Sequence, residues 1–284
     1  MKAVLKVFSR LTVAPALILA GLSLAPGPAF AQSLNFAAGK SGLPIEIQAD
    51  NGIEWQQGKL IFLAKGNARA VRGDVTITAD TLRAYYREIK GGKTEIFRLD
   101  AEGNVKIASP TETATGGKAT YDVDNAIMVL SGGRVRLVSG QDKIEADKQL
   151  EYWERKQMAV ARGNAVAVRR ENKQVKTLRA DVLAAYFKKD KNGKSSLHRI
   201  EAFDNVRIDT DKDKVRAERS VYNVKSGIAT LTGSVKIFRG GNELRGCSAK
   251  VNLNTGISSL FGCGPGAKGA KRVRGFILPT KKKR

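Results

Sequence analysis

The chain has 284 residues, with 50 Lys and Arg against 27 Asp and Glu, one His, two Cys and a formal charge of +23. Aromatic residues make up 6% of it, so any core must be built from small and branched side chains. The charge points to anionic partners or a strong demand for solubility, and a single histidine leaves little room for imidazole acid–base or zinc chemistry.

At the N-terminus, Lys2, Lys6 and Arg10 precede an apolar run from Leu11 to Leu24. Pro26-Gly27-Pro28 ends that run, and Ala29-Phe30-Ala31 places small residues at a cleavage site. The pattern reads as a secretory signal over residues 1–31, cut between Ala31 and Gln32. The alternative is a retained inner-membrane anchor, although the apolar run is shorter than the roughly 18 residues a spanning helix needs. Cleavage would remove three basic residues and no acids, leaving 47 against 27 and a charge of +20. Export argues against nucleic acid as the anion. It favours envelope polyanions instead: phospholipid head groups, phosphorylated glycolipids and acidic sugars. Residues 32–44 read as a linker, 45–264 as one β domain, and 265–284 as a basic tail without fixed structure.

Within 45–264 one short pattern recurs: a small residue, a polar residue, then two apolar residues flanking a polar one. The copies begin at Gly66, Gly103, Gly133, Gly163, Asp204 and Gly233. Such a recurrence describes one supersecondary unit stacked on itself. Side chains alternate around each copy. Phe97, Leu99, Ala101, Gly103, Val105 and Ile107 share one parity, as do Ile127, Val129, Ser131, Gly133, Val135 and Leu137, and also Leu231, Gly233, Val235 and Ile237. Period two over this length predicts strands with one buried and one wet face. The central glycine predicts a bulge, a bend or a close backbone approach. A second element follows each copy, opening on Ala and an often acidic residue (Ala79-Asp80, Ala146-Asp147, Ala180-Asp181, Ala217-Glu218) and closing at Tyr in all but the sixth, where Leu253 stands. Turn residues come next, so the chain reads as an all-β series of antiparallel hairpins. A closed barrel and an elongated roll both fit this pattern, and the interior could be filled or could leave a groove.

No zinc-type Cys/His spacing, phosphate loop, dinucleotide fingerprint or nucleophile elbow occurs. His198 lies beside Arg199 and reads as solvated. Asp80, Asp147 and Asp181 recur at equivalent repeat positions, which suits turns and wet faces better than a general acid–base pair. The sequence therefore predicts no catalytic residue, no metal and no cofactor. Cys247 and Cys263 are symmetric about residue 255, inside the turn Asn254-Thr255-Gly256, so a hairpin would place them face to face. Export predicts that they form a disulfide. A bulge at Gly246 or Gly262 would shift that register.

Ile45-Glu46-Ile47-Gln48-Ala49-Asp50, the run Ile61 to Ala68 and the run Asp74 to Tyr86, behind an export signal, resemble the LptA/OstA-like family of lipopolysaccharide-transport proteins. The resemblance covers residues 45–262. It implies an elongated, twisted antiparallel β-jellyroll with an apolar axial groove that holds lipopolysaccharide acyl chains in the periplasm. Combined with the parity, it makes Val75, Ile77, Leu99, Val105, Ile107, Val129, Val135, Leu137, Val206, Ile208, Leu231, Val235 and Ile237 the expected lipid-facing strip. Lys106, Arg134, Arg136 and Arg207 would then face phosphates and acidic sugars outside. The implied partners are an inner-membrane jellyroll component, an outer-membrane translocon, and further copies of the chain stacked head to tail. Two other readings stay open: an inner-membrane-anchored jellyroll component of the same pathway, and a structural or polyanion-binding envelope β protein with a filled core.

Overall fold

The computed structural model describes residues 45–278 apart from 172–173, 190, 192–194, 253–254, 256 and 265–271. The expected signal, its Ala31–Gln32 cleavage site, the linker, Leu253 and most of the basic tail lie outside the described residues.

Strands alternate with tight turns throughout. β1 (Glu46–Gln48), β2 (Ile53–Gln56) and one 3₁₀ turn (Gln57–Lys59) lead into the long strands β3 (Ile61–Arg72), β4 (Val75–Ile89), β5 (Lys93–Ala108) and β6 (Glu112–Asp122). Four short strands follow: β7 (Ile127–Ser131), β8 (Val135–Ser139), β9 (Asp142–Ala146) and β10 (Gln149–Trp153). Long strands then resume as β11 (Met158–Glu171), β12 (Gln174–Lys189), β13 (Ser195–Asp209), β14 (Asp213–Asn223), β15 (Ile228–Arg239) and β16 (Asn242–Asn252), and β17 (Ser258–Phe261) and β18 (Arg274–Phe276) close the series.

Every pairing is antiparallel, and nearly every strand pairs with its sequence neighbours. The short strands act as halves of long ones. β7 and β8 both pair with β6, β9 and β10 both pair with β11, and β1 and β2 both pair with β3. β17 and β18 divide β16 in the same way. The described residues thus form fourteen rungs, spanning about 60 Å at roughly 4.8 Å per step.

Each long rung bends at the recurring small residue. Lys65 pairs with Thr81 and Ala68 with Ala79, so Gly66 and Asn67 stand opposite Asp80 alone. The same two-against-one irregularity falls at Gly103-Asn104, Gly163-Asn164, Asp204-Asn205 and Gly233-Ser234. All ten of these residues have positive φ, which glycine and asparagine adopt most cheaply. A bulge of this kind bends the strand and raises its twist. The sheet therefore folds over on itself, and side chains from both halves of each rung meet in one core, from Ala64 and Ala68 at one end to Leu231, Val235 and Ala249 at the other. The architecture is an antiparallel β-jellyroll.

The third copy departs from the expected pattern. Positive φ falls on Gly132 and Gly133, not on Gly133 and Arg134, and the rung breaks into β7 and β8. The inward parity switches across this break. Met128 and Leu130 are buried before it and Val135 after it, so Val129 belongs to the opposite face and leaves the expected strip. The tail also differs from expectation, because Arg274–Phe276 pairs with the first half of β16.

Candidate functional site: an axial apolar groove

Two adjoining volumes lie between the folded halves of the sheet. The larger, about 880 Å³ including the part open to solvent, is bounded on one side by Ile107, Ala114, Leu137, Ile144 and Ala167, and on the other by Met128, Leu130, Leu150, Tyr152, Ala161 and Leu183. The smaller, about 450 Å³, is lined by Ile47, Ile53, Phe62, Ile77, Leu82, Leu99, Tyr121 and Met128. Met128 lines both, so they adjoin across that side chain and follow one another along the rungs.

The lining is mostly aliphatic because each strand presents its inner parity there, and small residues (Ala68, Ala165, Ala249) recur in the packed core near the bulges. Two tyrosines and two carboxylates interrupt it. Tyr121 is 3% exposed and lines the smaller stretch; no group among the described residues hydrogen-bonds its hydroxyl, and burial pushes its pKa up to about 12. Burial likewise pushes Tyr152 up to about 12. Asp100 lines the smaller stretch and Glu151 the larger, each paired with an arginine, Arg98 and Arg162.

Twelve of the thirteen strip residues lie in the core cluster or pack against it, Val129 being the exception. Ile107 and Leu137 line the larger stretch, and Ile77 and Leu99 the smaller. Val75, Val105, Val135, Val206, Ile208, Leu231, Val235 and Ile237 pack into the core. The parity reading missed Met128, Leu130, Ile144, Leu150 and Leu183. The last three sit on the second element of a repeat, whose own alternation (Ile144 and Ala146; Leu150 and Tyr152) was the available signal.

Outside, the recurring acids clasp the bulges. Asn104 Nδ2 donates to Asp80 (3.0 and 3.1 Å), Asn67 to Asp50 (2.7 Å), Asn164 to Asp147 (2.9 Å) and Asn205 to Asp181 (2.9 Å). Ser234 and Glu218 form a longer version at 3.5 Å. The sixth clasp is covalent. Cys247 stands opposite the Gly233-Ser234 bulge and is joined to Cys263 with Cα atoms 5.0 Å apart. The pairing Ser248↔Phe261 puts the hairpin one residue out of the register the sequence suggested. An added Cβ at Gly246 would come within 2.8 Å of the Phe261 carbonyl oxygen, a close approach that only glycine permits there.

Arg134 and Arg136 do not stand free on the outside. Glu145 accepts from Lys143 (2.7 Å), Arg136 (3.0 Å) and Arg134 (3.2 Å), and Arg134 also reaches Asp147 (3.1 Å). Lys143 first, and then Arg134, hold the Glu145 carboxyl down at about 2. His198 is half-buried on β13, where burial and the cations Lys188, Arg199 and Lys225 lower its pKa.

Known proteins resemble this chain at three levels. An uncharacterized protein of Rhizobium meliloti is 28% identical over 144 residues, which are 47% of this chain and 75% of that protein. The crystal structure of LptH, the LptA homologous periplasmic component of the lipopolysaccharide transport device of Pseudomonas aeruginosa, aligns over 85% of this chain and 99% of its own. Its identity is 12% and its TM-score 0.24, a superposition too loose to carry an argument. The family model for the LptA/LptD N-terminal domain lipopolysaccharide transport protein matches twice, at residues 46–148 and 143–257. The chain belongs to the LptA/LptD N-terminal domain family, and its role lies in lipopolysaccharide transport.

Proposed function

We propose that the chain is a periplasmic lipopolysaccharide-binding protein that shields lipid A acyl chains inside the jellyroll and bridges the inner- and outer-membrane transport complexes. The observation that carries this reading is the groove, with aliphatic walls supplied by both halves of the sheet. Acyl chains are flexible and apolar, so a wall of this chemistry stabilises them by about 25 cal/mol per Å² taken from water. Transfer along such a channel needs no covalent step, which is why the chain is read as a carrier and not an enzyme. Bridging is supported by the end rungs. β2 pairs with β3 and β17 with β16, each along one side among the described residues, which leaves an edge to which a like-shaped partner or a second copy can add strands.

Site-specific photo-crosslinking in cells tests the groove. A photoreactive residue at Leu130, Leu137, Ile144 or Leu183 should capture lipopolysaccharide, and one at Val129 or Lys106 should not. Capture confined to Val129 and Lys106 would refute the groove reading. The mass of the mature N-terminus separates the soluble carrier, which begins at Gln32, from an anchored jellyroll component that keeps residues 1–31.

A further inference from the structure

A lateral row of six cations crosses the outer face of the C-terminal half. Arg179 pairs directly with Arg207, Arg207 with Arg216, Arg216 with Lys236, Lys236 with Arg245, and Arg245 with Arg274. Directly opposed residues in an antiparallel sheet have Cα atoms about 4.5–5.5 Å apart, and like charges there are destabilising. The five steps make a ladder about 24 Å wide. Five of its members are exposed and Arg216 is half-buried. Arg207 lies between Val206 and Ile208, and Lys236 between Val235 and Ile237, all in the core, so the packed inner face fixes the outward cations in place.

Compensation along the ladder is incomplete. Asp209 accepts from Arg179 (2.8 Å) and Arg216 (3.2 Å), and Glu243 pairs with Arg245 (2.5 Å). Nearby Asp181 and Glu218 are engaged by the bulge residues Asn205 and Ser234. Arg207, Lys236 and Arg274 form no ion pair among the described residues. Asp100, Glu151 and Glu201 each pair with an arginine, Arg98, Arg162 and Arg199 respectively, and none of these acids serves the ladder. A second observation lies at the end of the ladder. Phe276, on the same face two residues beyond Arg274, is 54% exposed, and Ile277 and Leu278 follow at 73% and 66%. Arg245 stacks over the Phe276 ring at 5.5 Å.

We infer that this face docks on the surface of an anionic phospholipid bilayer, with the ladder on the head groups and Phe276-Ile277-Leu278 entering the interface. Charge complementarity selects the partner: a row of fixed cations is matched by a plane of phosphates, and adjoining exposed apolar side chains are matched by the acyl boundary beneath it. The inference does not rest on the groove; the other side of these strands packs into the core.

The test uses residues 32–284 in flotation with vesicles of phosphatidylcholine, with and without phosphatidylglycerol. Binding should require phosphatidylglycerol and weaken as salt rises. Arg207→Glu with Lys236→Glu should weaken binding roughly 500-fold at low salt, since each basic residue near such a surface contributes about fivefold and reversal counts twice. An Ile277→Trp reporter should shift its emission to the blue on phosphatidylglycerol vesicles alone. Arg207→Gln with Lys236→Gln replaces the reversal pair if that pair fails to give the circular dichroism of the parent. Binding without preference for phosphatidylglycerol, unchanged binding of the ladder variants, or an unshifted reporter would overturn the inference. Ladder variants that keep vesicle binding but lose lipopolysaccharide crosslinking at Leu137 would also overturn it, assigning the ladder to glycolipid phosphates instead.

Discussion

Gly103 and Asp80 show how tightly one position can be specified. Gly103 has φ +78°, and a Cβ there would overlap the Asp80 carboxylate that accepts from Asn104. Gly103→Ala therefore meets both backbone strain and a steric conflict, and should cost about 1–3 kcal/mol, read as a lower urea midpoint. Gly58→Ala is the control: it has open space around the added methyl group and no positive φ, and should stay within about 0.5 kcal/mol of the parent. Glu145 makes a pH-dependent prediction. Its folded pKa of about 2 lies below the ordinary 4.5, so the stability it contributes is complete above pH 4.5 and is lost as pH falls toward 2. Urea midpoints of the parent should drop across that window, and those of Glu145→Gln should drop less. Equal slopes would mean that Lys143, Arg136 and Arg134 do not act through this carboxylate. The sequence displayed half of this residue-level design. The Gly-Asn pairs and the Ala-Asp pairs were both visible as repeats, and glycine in a strand implied a bulge. That each asparagine reaches the acid of the preceding strand follows from register, which local alternation does not contain.

At the scale of strands and hairpins, alternation identified the inner face wherever a strand continued through its bulge with unchanged parity, as β5 does from Ala101 to Val105. It failed where parity switches. β4 buries Val75, Ile77 and Ala79 but then Leu82, Ala84 and Tyr86, and the rung of β7 and β8 changes from Met128 and Leu130 to Val135. A bulge in one strand is accommodated by an offset in its neighbour, and that offset is a property of the pair. The cationic ladder was hidden for the same reason: its members lie between 9 and 29 residues apart in sequence and become adjacent only once the rungs are in register. The last hairpin gives the prediction at this scale. Where earlier rungs hold a bulge by a side-chain hydrogen bond, β16 is tied to the segment after β17 by Cys247 and Cys263, which closes a 16-residue separation. Replacing both cysteines with serine should cost about 3 kcal/mol of stability by loop-closure entropy, and the loss should equal that caused by reducing the parent. A pair of serines that leaves the urea midpoint unchanged would mean that β17 frays freely in the oxidised protein as well.

The whole molecule is a duplication. The two family matches, 46–148 and 143–257, meet at β9, and the motif Ile47-Gln48-Ala49-Asp50 returns as Ile144-Glu145-Ala146-Asp147, each followed by a Gly-Asn bulge clasped to its aspartate. The halves do not form separate bodies. β9 and β10 pair with the first half through β8 and β7 and with the second through β11, and one core runs through both. The groove is lined by residues between Ile47 and Ile200, and the last rungs are packed core, with Val206, Leu231, Val235 and Ala249 buried. The two outer surfaces also differ. The first half neutralises Arg134 and Arg136 with Glu145, and the second leaves the ladder partly uncompensated. Because contacts run from rung to rung, local stability should grade along the axis. In hydrogen–deuterium exchange of dilute protein, amides of β1, β2, β17 and β18, which pair on one side among the described residues, should exchange fastest, and those of β11, β12 and β13 slowest. Raising the protein concentration should slow exchange at β2 and β17 while leaving β12 unchanged, because strand addition by a second copy covers the edges and not the middle. End strands as protected as β12 in dilute protein would mean that the edges are already covered within the single chain, and that stacking must use another surface.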